Sequence, residues 1–370
     1  MEGDENAVLL ASGLGDDTGG GLFIYGEAVE RVDRLSSTGL SYSEGRLCRA
    51  LWAPEGAGAA GELLIYDERG VRHYHRVDAL AEPHDVIWDG RELAAVSTLT
   101  NRVLWLSEAG EPIREWRAPG DGDAWHLNGL VLDQGRLYAS AFGRFERHRE
   151  WAANLDHGSG IVFELETGVD VITGLACPHS PRAVDDHWLV CDSARSELLR
   201  CDRRTGAVMD RAGLNGWTRG LAVGERHLFV GESAHRLSDA PGATATIAVV
   251  DRDSLVVEDR LPLPCREVYD LLFVPREIAT GVRRGFRTNA SRVSEQDQLA
   301  MFARAGVEPA RLWATGDPSL PRAAGSTSES THPNRSWRTR RSSCAASCPI
   351  GDPCSSAPFS PIRFGPPTDG

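Results

Sequence analysis

The feature that most constrains this chain is a short phrase that recurs at near-regular intervals. Its fullest form is Trp125-His126-Leu127-Asn128-Gly129-Leu130. Variants stand at Pro83-His84-Asp85-Val86, His179-Ser180-Pro181-Arg182-Ala183, Trp217-Thr218-Arg219-Gly220-Leu221 and Val268-Tyr269-Asp270-Leu271, with a weaker copy at Ser37-Thr38-Gly39-Leu40. Each copy opens a short apolar strand from a polar lead-in. Counting the first apolar residue as slot zero puts the slots at 40, 86, 130, 183, 221 and 271, at intervals of 46, 44, 53, 38 and 50 residues. A repeat of ~40–50 residues holding several short strands is the mark of a β-propeller blade.

The strands between slots follow one grammar. After Asp85, apolar runs at Glu92–Ser97, Arg102–Leu106 and Pro112–Trp116 alternate with the turn signals Asp89-Gly90 and Ala109-Gly110. The first segment, 7–35, holds three strands with no lead-in, and the last slot is followed by one strand before the pattern stops at Pro275. One orphan strand and three others complete a blade, and joining the termini in it removes the exposed edges that invite aggregation. The expected fold is therefore all-β, a six-bladed propeller over 1–275 closed by its N-terminal strands. Residues 276–322 read as a short, partly helical extension, with a helix at Val293–Ala305 capped by Ser294. From 323 to 370 the chain is Ser, Thr, Pro and Arg with few aliphatic residues, the composition of a disordered tail. The interval of 53 reflects an insertion at Gly143–Gly158, rich in Arg, His and Glu, which reads either as a lid or as a solvated loop.

Composition excludes several classes of function. A formal charge of -13 opposes both a nucleic-acid-binding face and docking on an anionic membrane. No apolar run approaches the ~18 residues of a membrane span. The acidic start Met1-Glu2-Gly3-Asp4-Glu5 lacks the basic and apolar regions of a signal peptide. Cys48, Cys177, Cys191, Cys201 and Cys265 are scattered singly, the pattern of reduced thiols in a cytoplasmic protein. Cys344, Cys348 and Cys354 lack a fourth zinc ligand.

The phrases at 125–130, Pro178-His179-Ser180-Pro181-Arg182, Arg219-Gly220-Leu221 and Arg266-Glu267-Val268-Tyr269-Asp270 resemble the motifs of an uncharacterised bacterial family, a domain of unknown function, over roughly 8–275. That resemblance implies a propeller-like domain and no particular activity. More loosely, the pattern is similar to six-bladed propellers of the gluconolactonase, regucalcin and NHL kinds. Their lactonases hold a divalent metal with a Glu, an Asn and an Asp at the axis, and Asn128 is the residue here that corresponds.

In a propeller the first strand of every blade lines the channel, so residues just before slot zero form a ring at one mouth. Two positions before zero stand Thr38, His84, Asn128, Pro181, Arg219 and Tyr269. Four before stand Ser36, Glu82, His126, His179, Trp217 and Glu267, and one before, Asp85, Arg182 and Asp270 alternate with Gly39, Gly129 and Gly220. The ring admits two readings. In one it is a pocket for a small polar molecule, anionic or sugar-like. His84, Asn128, Arg182, Arg219, Tyr269 and Asp270 would then contact the ligand, with His126 and Asp270 as acid–base candidates. A divalent metal held by His84, His126 and His179 would make the chemistry metal-assisted hydrolysis or elimination. In the other reading these groups stitch blades together by hydrogen bonds, and the protein is a scaffold that meets a protein partner at its rim. Residues alone do not decide whether the chain is an enzyme.

Overall fold

The computed structural model describes residues 6–14, 20–52, 60–234 and 243–285. They form six four-stranded antiparallel sheets. Blade one is β4 (Ser37–Ser43), β5 (Arg46–Leu51), β6 (Ala60–Asp67) and β7 (Gly70–Ala81). Blade two is β8 (Pro83–Trp88), β9 (Leu93–Ser97), β10 (Arg102–Leu106) and β11 (Pro112–Arg117). Blade three is β12 (Leu127–Asp133), β13 (Arg136–Ala141), β14 (Gly160–Glu164) and β15 (Asp170–Leu175). Blade four is β16 (Pro178–Val184), β17 (His187–Asp192), β18 (Glu197–Asp202) and β19 (Val208–Gly213). Blade five is β20 (Trp217–Val223), β21 (His227–Ser233), β22 (Ala245–Asp251) and β23 (Val257–Leu263). Blade six joins β24 (Glu267–Pro275) to β1 (Ala7–Leu14), β2 (Gly21–Tyr25) and β3 (Val29–Arg31). The expected closure is therefore present: β1 pairs antiparallel with β24 from Ala7 opposite Pro275 to Leu14 opposite Glu267.

The core lies between blades, because each sheet is covered on both faces by its neighbours. One cluster packs Val96, Val103 and Trp105 of blade two against Leu130, Ala139 and Phe163 of blade three. Another packs Leu221, Leu228 and Val230 of blade five against Leu189, Cys191 and Leu198 of blade four. Cys48, Cys191 and Cys201 fall in strands as expected, and all five scattered cysteines are buried and free. Burial raises their thiol pKa values, so they are packing groups.

Beyond β24 the chain turns directly into a helix, α1 (Arg276–Gly285), which the sequence pattern did not signal. Glu277 at its start and Arg283 and Arg284 at its end suit the helix dipole, and Ile278, Ala279 and Val282 are buried. The helix packs on blade one, where Gly281 lies against the Asp67 carbonyl. The helix expected at 293–305 and the tail from 323 lie outside the described residues. No described helix is long and apolar enough to cross a membrane.

Candidate functional site: the channel mouth

Every inner strand is interrupted by a bulge at the recurring phrase. Register slips between Ser37 and Leu40, Pro83 and Val86, Leu127 and Gly129, His179 and Arg182, Thr218 and Leu221, and opposite Ser12/Gly13 on β24. All six residues two before slot zero, Thr38, His84, Asn128, Pro181, Arg219 and Tyr269, sit in these bulges. A bulge places two residues opposite one and re-aims the side chains, so two adjacent residues reach different layers of the channel.

The layer further along the strands is a plug. Asp85 from blade two, Arg182 from blade four and Asp270 from blade six come together there, each skipping the blade between. Arg182 bonds Asp270 at 3.0 Å and the carbonyls of Leu221 and Pro181 at 3.1 and 3.0 Å. Asp270 accepts from the amides of Leu40 and Leu271 at 3.0 and 2.9 Å. Asp85 accepts from Leu130 and Val86 at 2.7 and 2.8 Å. Desolvation raises the pKa of both carboxyls, Asp85 further through the nearby Asp270, while Arg182 opposes the rise. The glycines on the alternate blades make room: a Cβ on Gly39 would lie 2.5 Å from the Asp85 Cα. Arg182 and Asp270, expected as ligand contacts and Asp270 also as an acid–base group, are thus engaged with each other and with backbone across blades.

The layer at the mouth is lined with aromatic rings. His84 meets His126 edge-on at 5.1 Å between centroids, Tyr269 at 5.5 Å and Trp52 at 5.9 Å. His126 packs on both Phe142 and Trp151, each 4.2 Å away, and those two rings touch at 5.3 Å. Phe142 also touches His179 at 5.3 Å, and His179 touches Trp217 at 6.2 Å. The Arg219 guanidinium lies over Tyr269 at 4.3 Å and 3.9 Å from the Glu267 carboxylate. His84, His126, His179, Arg219 and Tyr269 therefore gather here. Asn128 is beside them, but its amide donates to the His126 carbonyl at 3.1 Å and its oxygen accepts from Ser140 at 2.6 Å.

Backbone strain sets the histidine orientations. Glu82 and Cys177 are left-handed, with φ of 49° and 55°, and their carbonyls meet Nδ1 of the imidazole two residues on, His84 at 3.1 Å and His179 at 3.0 Å. His126 is itself left-handed at φ 51°, which turns its carbonyl to Asn128 in the same way. Its Nδ1 lies 3.1 Å from both oxygens of Asp123. In all three rings Nδ1 faces a protein acceptor, so Nε2 is turned away from it.

The three imidazoles are not grouped around one point. Phe142 stands between His126 and His179, and His84 meets His126 edge-on rather than converging with it on a point. Among the described residues no three His, Cys, Asp or Glu side chains are grouped to hold an ion. The arrangement therefore lends the expected divalent metal on His84, His126 and His179 no support.

The insertion in blade three is a strap over this mouth. It carries a 3₁₀ turn at Glu150–Ala153 and fastens to Asp123: the Arg149 amide and the Trp151 indole donate to the Asp123 carbonyl at 2.9 and 3.1 Å. Arg149 also reaches Glu82 at 3.3 Å. Burial pushes the Asp123 carboxyl up to about 7 against the pull of Arg149. Asp123, Phe142 and Trp151 were not singled out by the sequence pattern. The only signal was that an Asp stands three residues before His126 and a Trp lies within the insertion. A groove of about 520 Å³ between blades two and three, lined by Trp105, Arg114 and Trp116 among others, lies at the other end of the strands.

A sequence profile described as a domain of unknown function, DUF4915, matches residues 67–280, more than half of the chain. The chain belongs to that family. The match takes in every mouth residue except Thr38 and Trp52. No curated protein matches the chain. Solved structures share the architecture at low identity. A chain of a nidogen/laminin complex is 11% identical with a TM-score of 0.53, covering 73% of this chain and 99% of its own. A Bacteroides caccae protein of unknown function is 11% identical with a TM-score of 0.52, covering 72% and 98%. A Bacteroides fragilis protein taken to be a 6-phosphogluconolactonase is 11% identical with a TM-score of 0.51, covering 73% and 98%. At that identity the likeness concerns the fold.

Proposed function

We propose that the channel mouth binds a small polar molecule, anionic or sugar-like, beneath the strap of blade three. One observation carries this reading: the imidazoles of His84, His126 and His179 gather in one buried aromatic ring, each oriented through Nδ1 by a nearby acceptor, and His179 Nε2 is left over without a hydrogen-bond partner. Stitching between blades needs no such ring, because the neighbouring plug already does it. The chemistry this arrangement suits is acid–base catalysis, hydrolytic or eliminative. His126 is the group for it, oriented by Asp123 as a carboxylate orients the imidazole of a general base, and Arg219 supplies a fixed positive charge nearby. The test is a thermal-shift screen of the purified protein against hydroxy acids, sugar acids, lactones and sugars. A saturable rise with at least one of them, removed in His126→Ala while circular dichroism is unchanged, supports the reading. If no compound binds and His126→Ala merely lowers stability, the mouth is stitching and the propeller is a scaffold for a protein partner.

A further inference from the structure

His179 carries more chemical information than its neighbours, because the hydrogens around it can be assigned. Its Nδ1 lies 3.0 Å from the Cys177 carbonyl and 2.7 Å from the Ser193 hydroxyl. The carbonyl can only accept. Ser193 directs its single hydrogen to the Thr218 carbonyl, 2.5 Å away, so toward His179 it too can only accept. Nδ1 is therefore the protonated nitrogen. Burial, and then the Arg219 charge, hold the imidazole pKa well below its ordinary value, so the ring is neutral and Nε2 is a bare lone pair. That atom is buried and has no hydrogen-bond partner, and the same is true of the Trp217 indole Nε1. One can only accept, the other can only donate, and their rings are 6.2 Å apart. Buried polar atoms left unpaired are costly, and two of opposite sense on rings in edge contact suit one group that satisfies both.

Resting on the mouth being a ligand site, we propose that the corner formed by His179 and Trp217 takes a hydroxyl of a sugar or polyol. That hydroxyl donates to His179 Nε2 and accepts from the Trp217 indole. A carboxylate or phosphate oxygen has no hydrogen for Nε2, and an ammonium has no lone pair for the indole; a hydroxyl oxygen does both. Phe142, 5.3 Å from His179, adds an apolar face of the kind the C–H groups of a sugar pack against.

The experiment follows the Trp217 indole N–H resonance, identified by its loss in Trp217→Phe. The intact protein is titrated separately with D-glucose, myo-inositol, glycerol, acetate and inorganic phosphate. At least one polyhydroxylated probe moves the resonance saturably. His179→Asn weakens that probe roughly tenfold, and Trp217→Phe, read by calorimetry, does the same, the scale of one buried hydrogen bond left unmade. His179→Asn is the sharper variant. Asn128, two residues beyond a left-handed backbone position like His179, donates its amide to the His126 carbonyl at 3.1 Å, so Asn at 179 keeps the blade-side bond and deletes the Nε2 lone pair. Saturable binding of acetate or phosphate at Trp217 without any polyhydroxylated probe overturns the hydroxyl assignment while leaving a ligand site at the mouth. Polyol binding unchanged in both variants overturns it too. Silence of every probe overturns both this assignment and the binding role of the mouth.

Discussion

The plug and the mouth are built from adjacent residues of the same six strands, yet they treat polar groups in opposite ways. In the plug every carboxylate oxygen of Asp85 and Asp270 accepts a bond from another residue, most from a different blade. At the mouth, near the starts of two of the same strands, His179 Nε2 and Trp217 Nε1 are buried without a partner. Folding explains the first layer, because a buried polar group that bridges two blades fixes their register. It does not explain the second. The contrast shows that burial and charge alone do not mark a site in this fold; what marks it is which polar atoms the blades leave over.

The comparison can be broken most forcefully at the plug. Asp270→Ala strands the Arg182 charge and the amides of Leu40 and Leu271, and should cost about 3–5 kcal/mol in urea unfolding, the scale of a buried ion pair broken from one side. A loss below about 1 kcal/mol would mean that the blades hold without it. The next effect belongs to Asp123. Its carboxyl titrates near 7 in the folded chain against 3.8 for an ordinary one. The stability it contributes is thus fully present below about 3.8 and lost as pH rises through about 7, a span on the order of 2–4 kcal/mol. Urea midpoints measured across that range should fall with pH in the parent and fall less in Asp123→Asn; parallel slopes would place the titration elsewhere. Gly39→Ala should cost about 1–3 kcal/mol, because its Cβ would press on the backbone of Asp85 rather than on a movable side chain. The smallest effect sharpens the contrast. His179→Asn should change stability by less than about 1 kcal/mol while weakening ligand binding roughly tenfold, the reverse of Asp270→Ala, and calorimetry with denaturation on both variants reads the two outcomes together.

Architecture was legible because it is periodic. The intervals between slots and the unmatched strands at the two ends are enough to count six blades and to predict that residues 7–35 complete the sheet begun at 268–274. Which residues line the channel was legible for the same reason: the positions two before slot zero are the bulge residues in all six blades. What each side chain does there was not legible. Spacing cannot tell that Arg182 would cross to Asp270, two blades away, nor that Phe142 would come between His126 and His179. The left-handed turns at Glu82, His126 and Cys177 leave no mark either, since none of them is the glycine or asparagine that usually announces such a backbone. Asp123 and Trp151 come from connections of irregular length, where a periodic reading has no frame. Helix α1 was missed because it starts on the last residue pattern of β24 with no intervening turn signal.

Closure of the ring through blade six has a consequence for how the chain is made. The partners of β1 lie near residue 270, so the first strands synthesised must wait for the last before they gain their inner neighbour. Until then β1, β2 and β3 form a sheet with one raw edge, while blades one to five can assemble in order from contacts close in sequence. The slow event is the final one, since joining segments this far apart carries the largest loop-closure entropy in the molecule. A ribosome pausing before residue 275 would hold a nearly finished propeller with an open seam. A pull from the N-terminal side of β1, as by an unfoldase, would load that seam early, whereas a pull from the C-terminal side of β24 meets α1 on blade one first.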